Sequence, residues 1–260
     1  MGGERTAPEG WHHACFVTGQ EVRKVADGIY VGMSAAVARA AQLDSIADNL
    51  ANTETPGFKA TRPAFRAFLP PGPTDKVLAG ATSTGVDLRA GPTNTTDNPL
   101  DVVPEGDAYL GVRLSTGQVA YTRNGHLELG PSGELLASGL PVLGRSGEPV
   151  SIPAGADPHI ESNGDVVVGR GTVVDTLALF QAQGPMDKIA PTLLQPSAGS
   201  SVSPAADGTL RVGELEMGNV SALDSTVQMI NAQRQFDMAM QAIQTYRKMD
   251  DRATQVGLVK

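Results

Sequence analysis

The sequence predicts a mixed α and β fold: N- and C-terminal helices forming a coiled-coil-like layer, with a central antiparallel β-rich domain. Three observations carry this expectation. Apolar residues recur at helical spacing near both ends; turn residues punctuate short apolar runs between residues 100 and 213; and breaker-rich stretches separate the two patterns. The 30 glycines and 18 prolines imply many turns, and turns in number usually join short strands.

At the N-terminal end, Met33, Ala36, Ala40, Leu43, Ala47 and Leu50 step alternately by three and four residues, a heptad-like stripe widened by Val37 and Ile46. Ser34 is read as the N-cap of a helix running to Asn52, where Pro56 and Gly57 stop it. At the C-terminal end, Val220, Leu223, Val227 and Ile230 start a second stripe, continued through Phe236, Met240, Ile243 and Met249. Asn219 or Ser221 caps it, and Ser221 with Asp224 has the spacing of a capping box. Each stripe is narrow, and a helix without a partner for its stripe is marginal in water.

In the middle, Gln118–Arg123 and His126–Leu129 flank Asn124-Gly125, a hairpin signal because both residues tolerate positive φ. Ser162-Asn163-Gly164-Asp165 repeats the device, and Ser132-Gly133 and Ser146-Gly147 mark further turns. Thr172 to Gln181 alternates imperfectly, as one strand would. Leu69–Ala81 and Gln195–Gly208 are read as linkers.

Composition excludes several functions. A net charge of −8 and no Lys/Arg block argue against nucleic acid or anionic membrane as partner. A single cysteine, Cys15, excludes an intramolecular disulfide framework. No apolar run approaches the ~20 residues of a membrane span, and the start lacks a basic segment leading into an apolar one, so export would need a route without a cleaved signal peptide. His12, His13 and Cys15 offer metal-ligand chemistry but are expected in a disordered leader; His126 and His159 are expected as surface or half-buried strand residues. Asp44 and Asp48, one helical turn apart, are expected on a solvated face. No nucleotide, zinc-protease or serine-hydrolase motif occurs. The expectation is therefore no catalytic residues, no cofactor, no metal and no small-molecule substrate.

Asn49-Leu50-Ala51-Asn52, followed by Thr55, Gly57, Phe58 and Lys59, resembles the signature that ends the first helix of flagellar rod and hook proteins. Ile29–Ser34 resembles the proximal-rod members of that family more than the distal ones. Leu100-Asp101-Val102 with Gly106-Asp107, then Tyr121-Thr122-Arg123-Asn124-Gly125, then Gly139–Gly144 and Gly147–Pro153 follow in the family's order. Glu216, Asn219, Val220, Met229, Ile230, Gln233, Arg234 and Phe236 resemble its C-terminal helix signature. The resemblance spans about residues 28 to 250. Departures are Gly218 in place of a usual Ser, Ser225-Thr226 in place of an acid and Met, and Leu127 in place of a Phe.

The resemblance implies a structural subunit of the flagellar basal-body rod, exported by the flagellar type III apparatus and partnered by copies of itself and by other rod subunits. It implies a location spanning the periplasm and a role in transmitting motor torque. Asn49 to Lys59 becomes an architectural corner, with Asn52 capping the helix and Gly57 in a conformation closed to other residues. A distal-rod or hook subunit is the nearest alternative. A secreted glycan-binding β module is another, which Tyr109, Tyr121 and Phe180 are too few to favour. The implied division is a leader at 1–27, helix and corner at 28–68, linker at 69–99, β-rich domain at 100–213 and C-terminal helix at 214–260.

The family's members start near Val25, so translation is expected to begin at that valine codon. Intact mass of the native protein should show no Trp11 or Cys15; a mature chain carrying either overturns the expectation.

Overall fold

The computed structural model describes residues 19–68, 78–205 and 208–258. Trp11, His12, His13 and Cys15 lie outside the described residues, as does most of the expected leader. Helix α1 spans Gly19–Ala51 and α2 spans Ala222–Leu258. Between them run β1 (Thr61–Phe68), β2 (Leu78–Val86), β3 (Thr93–Thr95), β4 (Val102–Pro104), β5 (Ala108–Arg113), β6 (Val119–Thr122), β7 (Leu127–Leu129), β8 (Leu135–Ala137) and β9 (Leu140–Pro141). They are followed by β10 (Pro158–Ile160), β11 (Asp165–Val168), β12 (Thr172–Thr176), β13 (Leu179–Gln183), β14 (Met186–Ala190), β15 (Leu193–Pro196), β16 (Ser201–Pro204), β17 (Leu210–Val212) and β18 (Glu214–Glu216).

All named strand pairs are antiparallel. The largest sheet has the order β14-β15-β6-β5-β13-β16. Alternation across it separates two faces. One packs Leu110, Val112, Ala120, Leu179 and Leu193 into the main core with Leu127, Leu135, Val142, Val150 and Val166. The other places Tyr109, Met186 and Leu194 against Val86 and Leu88.

Both expected linkers contain paired strands. In the first stretch, residues 69–77 lie outside the described residues, while 78–81 belong to β2, which pairs with β1 with a bulge between Pro63 and Ala64. A proline cannot donate to a ladder, which suits it to a bulge in a two-stranded sheet. In the second stretch, β15 and β16 are ladder members on opposite sides of the large sheet. Thr172 to Gln181 is two strands, not one: β12 pairs with β11 while β13 pairs with β5 and β16.

The Asn124-Gly125 hairpin does not form. β6 pairs with β5 and β15, whereas β7 pairs with β8. Gly125 serves close approach instead: a Cβ there would lie 1.6 Å from the Val102 carbonyl oxygen, and the Gly125 carbonyl accepts from Val102 N at 3.0 Å. The hairpin over Ser162–Asp165 does form, between β10 and β11; Gly164 takes the positive φ and the Asn163 side chain accepts from Asp165 N.

The two helices run side by side and antiparallel: Gly28 lies against Tyr246, Gly32 against Ile243, and Gly218, just before α2, against the Asn52 and Thr53 carbonyls. Ser34 is not a cap, because α1 begins well before it; its hydroxyl donates to the Val31 carbonyl. Ser221 does cap α2, accepting from Asp224 N at 3.3 Å. The face of α2 turned to α1 is Ser225, Met229, Ala232, Phe236, Ala239 and Ile243; of the expected stripe, Phe236 and Ile243 lie on it. Leu223, Val227 and Ile230 are 76%, 52% and 55% exposed. On α1, Ala36 and Ile46 are buried, while Met33 and Val37 point outward at 47% and 66%.

Two glycines of α1 lie against large side chains of α2. Added Cβ atoms at Gly28 and Gly32 would come within 2.5 Å of the Tyr246 ring and 2.8 Å of Ile243, so only glycine admits this approach. The double variant Gly28→Val, Gly32→Val should cost about 1–3 kcal/mol per site by overpacking. Loss of helical ellipticity with the β signal retained is the expected readout; an unchanged helix melt contradicts this packing.

Candidate functional site

The residues of the N-terminal signature gather at the corner where α1 meets the β structure. Asn49, on the last turn of α1, pairs with the backbone of Thr61 as a strand would: its Oδ1 accepts from Thr61 N and its Nδ2 donates to the Thr61 carbonyl, both at 2.9 Å. Leu50 is half-buried and Ala51 exposed. Asn52 closes the helix, its Nδ2 donating to the Asp48 carbonyl at 2.8 Å, and Thr55 Oγ1 donates to Asn52 Oδ1. The Asp48 carbonyl also accepts from Asn52 N at 3.2 Å, so backbone and side chain of Asn52 close on one acceptor at the helix end.

Gly57 has φ +71°, and a Cβ there would fall 2.1 Å from Asn124 N; its own N–H donates to the Glu216 carbonyl at 2.7 Å. The corner is thus pressed against the backbone of Arg123-Asn124. Phe58 and Lys59 follow, fully buried, and reach different partners: the Phe58 ring lies under Lys188, and Lys59 Nζ donates to Glu216 Oε1 at 2.7 Å and to the Arg89 carbonyl at 2.8 Å.

Asn219 staples the same corner from the C-terminal side. Its Oδ1 accepts from Ala60 N at 2.7 Å, and its Nδ2 donates to the carbonyls of Asp87 and Arg89. Asn49 and Asn219 therefore hold residues 60–61 from opposite ends of the chain. Val220 is half-buried beside them. Of the rest of the C-terminal signature, Met229 and Phe236 turn toward α1, whereas Ile230, Gln233 and Arg234 are exposed. Gly218 fits where the family usually has Ser, since a Cβ would meet the Thr53 carbonyl at 2.8 Å. Ser225 is buried on the inner face, and Leu127 is buried in the β core.

At the centre stands Glu216, on β18. Arg123 Nε and Nη2 donate to its Oε2 at 2.8 and 2.6 Å, and Gly91 N donates to its Oε1 at 3.0 Å. Arg123 Nη1 also donates to the carbonyls of Gly106 and Ala108. Glu216, Lys59 and Arg123 are 1%, 1% and 4% exposed. Burial by itself would raise the Glu216 carboxyl, but Arg123 and Lys59 outweigh it and hold the group below its ordinary range. Burial, the largest influence on Lys59, works against its ammonium, and Glu216 offsets part of that. Every charge in the cluster has partners, the condition under which a buried ion network is tolerated.

Sequence reading missed Arg123, Lys188 and the pairing of Glu216. Arg123 sat in a motif read as a turn, Lys188 in a stretch with no pattern, and nothing in one sequence links Lys59 to a carboxylate 157 positions away. His126 bonds Asp101 at 2.8 Å and Glu128 at 3.2 Å. Asp44 is solvated as expected; Asp48 is half-exposed but held by Lys188 at 3.0 Å. Tyr109 is buried, and Tyr121 and Phe180 pack edge to face at 5.3 Å, so none of the three is a free platform.

The geometry suits a joint. Glu216→Gln strands two buried cations and should lower the unfolding free energy at neutral pH by about 3–5 kcal/mol. The Glu216 contribution is present above the carboxyl's unfolded pKa and is lost as pH falls through its lower folded value. Chemical denaturation across that acid range should show the gap between variant and parent closing; a gap independent of pH contradicts this assignment.

Three family models match the chain in order: "Flagella basal body rod protein" over residues 29–59, "Flagellar hook protein FlgE/F/G D1 domain" over 105–212, and "Flagellar basal body rod FlgEFG protein C-terminal" over 211–256. The flagellar basal-body rod protein FlgF of Salmonella typhimurium is 33% identical, covering 88% of this chain and 97% of its own. FlgF of Escherichia coli is 35% identical with the same coverage. The rod protein FlgG of Bacillus subtilis is 31% identical over 84% of this chain and 94% of its own. The corner, the β domain and the closing helix are each matched, and the chain belongs to the flagellar basal-body rod protein family.

Proposed function

We propose that this structural rod subunit of the flagellar basal body belongs to the proximal rod, as FlgF does. The wording of Ile29–Ser34 supports proximal over distal, as does the 33–35% identity to two FlgF chains, while other FlgF chains at 27–31% overlap two FlgG chains at 30–31%.

The observation that carries the assembly reading is the pair of exposed apolar rows. Leu223, Val227 and Ile230 face away from α1, and Tyr30, Met33 and Val37 are exposed on α1. Large apolar residues in contiguous exposed rows mark association surfaces. In the rod these rows pack against copies of the same chain and other rod subunits, completing a coiled-coil layer. A head-to-tail contact of this kind builds a helical tube when it does not close into a ring. The corner around Glu216 then carries torque between that layer and the β domain. The work is mechanical, not enzymatic, and needs no cofactor. The subunit reaches a rod spanning the periplasm through the flagellar type III apparatus.

A clean in-frame deletion should give non-motile cells whose basal bodies lack a complete rod and hook under the electron microscope, restored by the gene in trans. Motile cells with intact rods contradict the reading.

A further inference from the structure

The cluster around Glu216 joins the helical layer to the β domain beside the Asn49 and Asn219 staples, and Val86 and Leu88 pack against the second face of the large sheet. Lys188 adds an ionic contact from that sheet to the end of α1. It lies on β14, an edge strand of the large sheet, where the register shifts between Lys188 and Ala190. A bulge bends a strand and re-aims its side chains. Beyond Lys188, Ile189 is 45% exposed, while the Lys188 side chain is only 14% exposed. An edge-strand lysine commonly points to solvent and blunts sheet-to-sheet pairing; this one turns inward.

Its Nζ lies 3.8 Å from the centroid of the Phe58 ring, 3.0 Å from Asp48 Oδ2 and 3.4 Å from Thr61 Oγ1. These groups come from the corner, the end of α1 and the start of β1. A cation held over a buried ring and beside a carboxylate is worth more than an exposed pair, because water competes less for it. Phe58 and Lys59 are neighbours, so the corner offers the ring to Lys188 and the ammonium to Glu216.

We infer that Lys188 is a positioning residue: it clasps the β domain to the end of α1 and sets the angle between them. The role rests on this geometry and is independent of the rod reading. Opening the clasp leaves the Glu216 joint and both β cores intact, so the β domain swings instead of unfolding.

The test measures that angle in the full chain. With Cys15→Ser, spin labels go on Val37→Cys and Val173→Cys, positions 66% and 52% exposed on α1 and on β12. Electron–electron distance measurements should give one narrow distribution in the parent. Lys188→Met keeps the stem and loses the charge; the distribution should broaden about twofold as hinge freedom returns. Asp48→Asn should broaden it less, since the ring contact remains, and Lys188→Arg should keep it narrow. The thermal melt of the β domain should stay unchanged in all three. An unbroadened Lys188→Met distribution overturns the inference. So does a parent that is already broad, or a Lys188→Arg variant as broad as Lys188→Met, which would leave only the fit of a lysine stem.

Discussion

The Glu216 carboxylate receives bonds from three parts of the chain: Lys59 just after α1, Gly91 just before β3, and Arg123 after β6. Its own backbone pairs with β3 and accepts from Gly57 N. An ionised group so removed from water survives only if its partners are already in place. The segments therefore close on it together or not at all. Everything else at the corner follows: the left-handed turn at Gly57, the staples by Asn49 and Asn219, and the burial of Phe58 depend on residues 57 to 61 being held there.

That arrangement explains why signature residues far apart in sequence meet. The chain enters the β domain along β3 and leaves along β18, and these two strands pair. Entry and exit are therefore one two-stranded ribbon, with the corner on one side and α2 beginning just beyond. A load applied to either helix reaches the β domain through the same ribbon.

The two end helices were legible, since apolar spacing and breakers mark them, as were the turns at Gly133, Gly147 and Gly164, where positive φ demands glycine. Which stripe of α2 packs was not legible. Leu223, Val227 and Ile230 outrank Ser225 and Ala232 in hydrophobicity, yet the latter are buried and the former exposed. Asn124-Gly125 misled because glycine serves two purposes, turn freedom and close approach, and sequence does not say which. The linkers misled because proline and glycine content reports interruptions, not the strands between them. The ionic centre was out of reach altogether. Lys59, Arg123 and Glu216 look like surface charges in any local window, and only the fold brings them together.

The close seam between α1 and α2 has one more consequence. Two helices packed face to face form a thin layer with little interior of its own, and several of their larger apolar side chains, Leu223, Val227 and Val37 among them, stay outside. Such a layer is marginal as a lone chain. Its free energy depends on how many neighbours are present, and so on subunit concentration, as for an obligate oligomer. The β domain, with its own core, is exempt. One polypeptide thus combines a part whose melting point is a property of the molecule with a part whose melting point is a property of the solution.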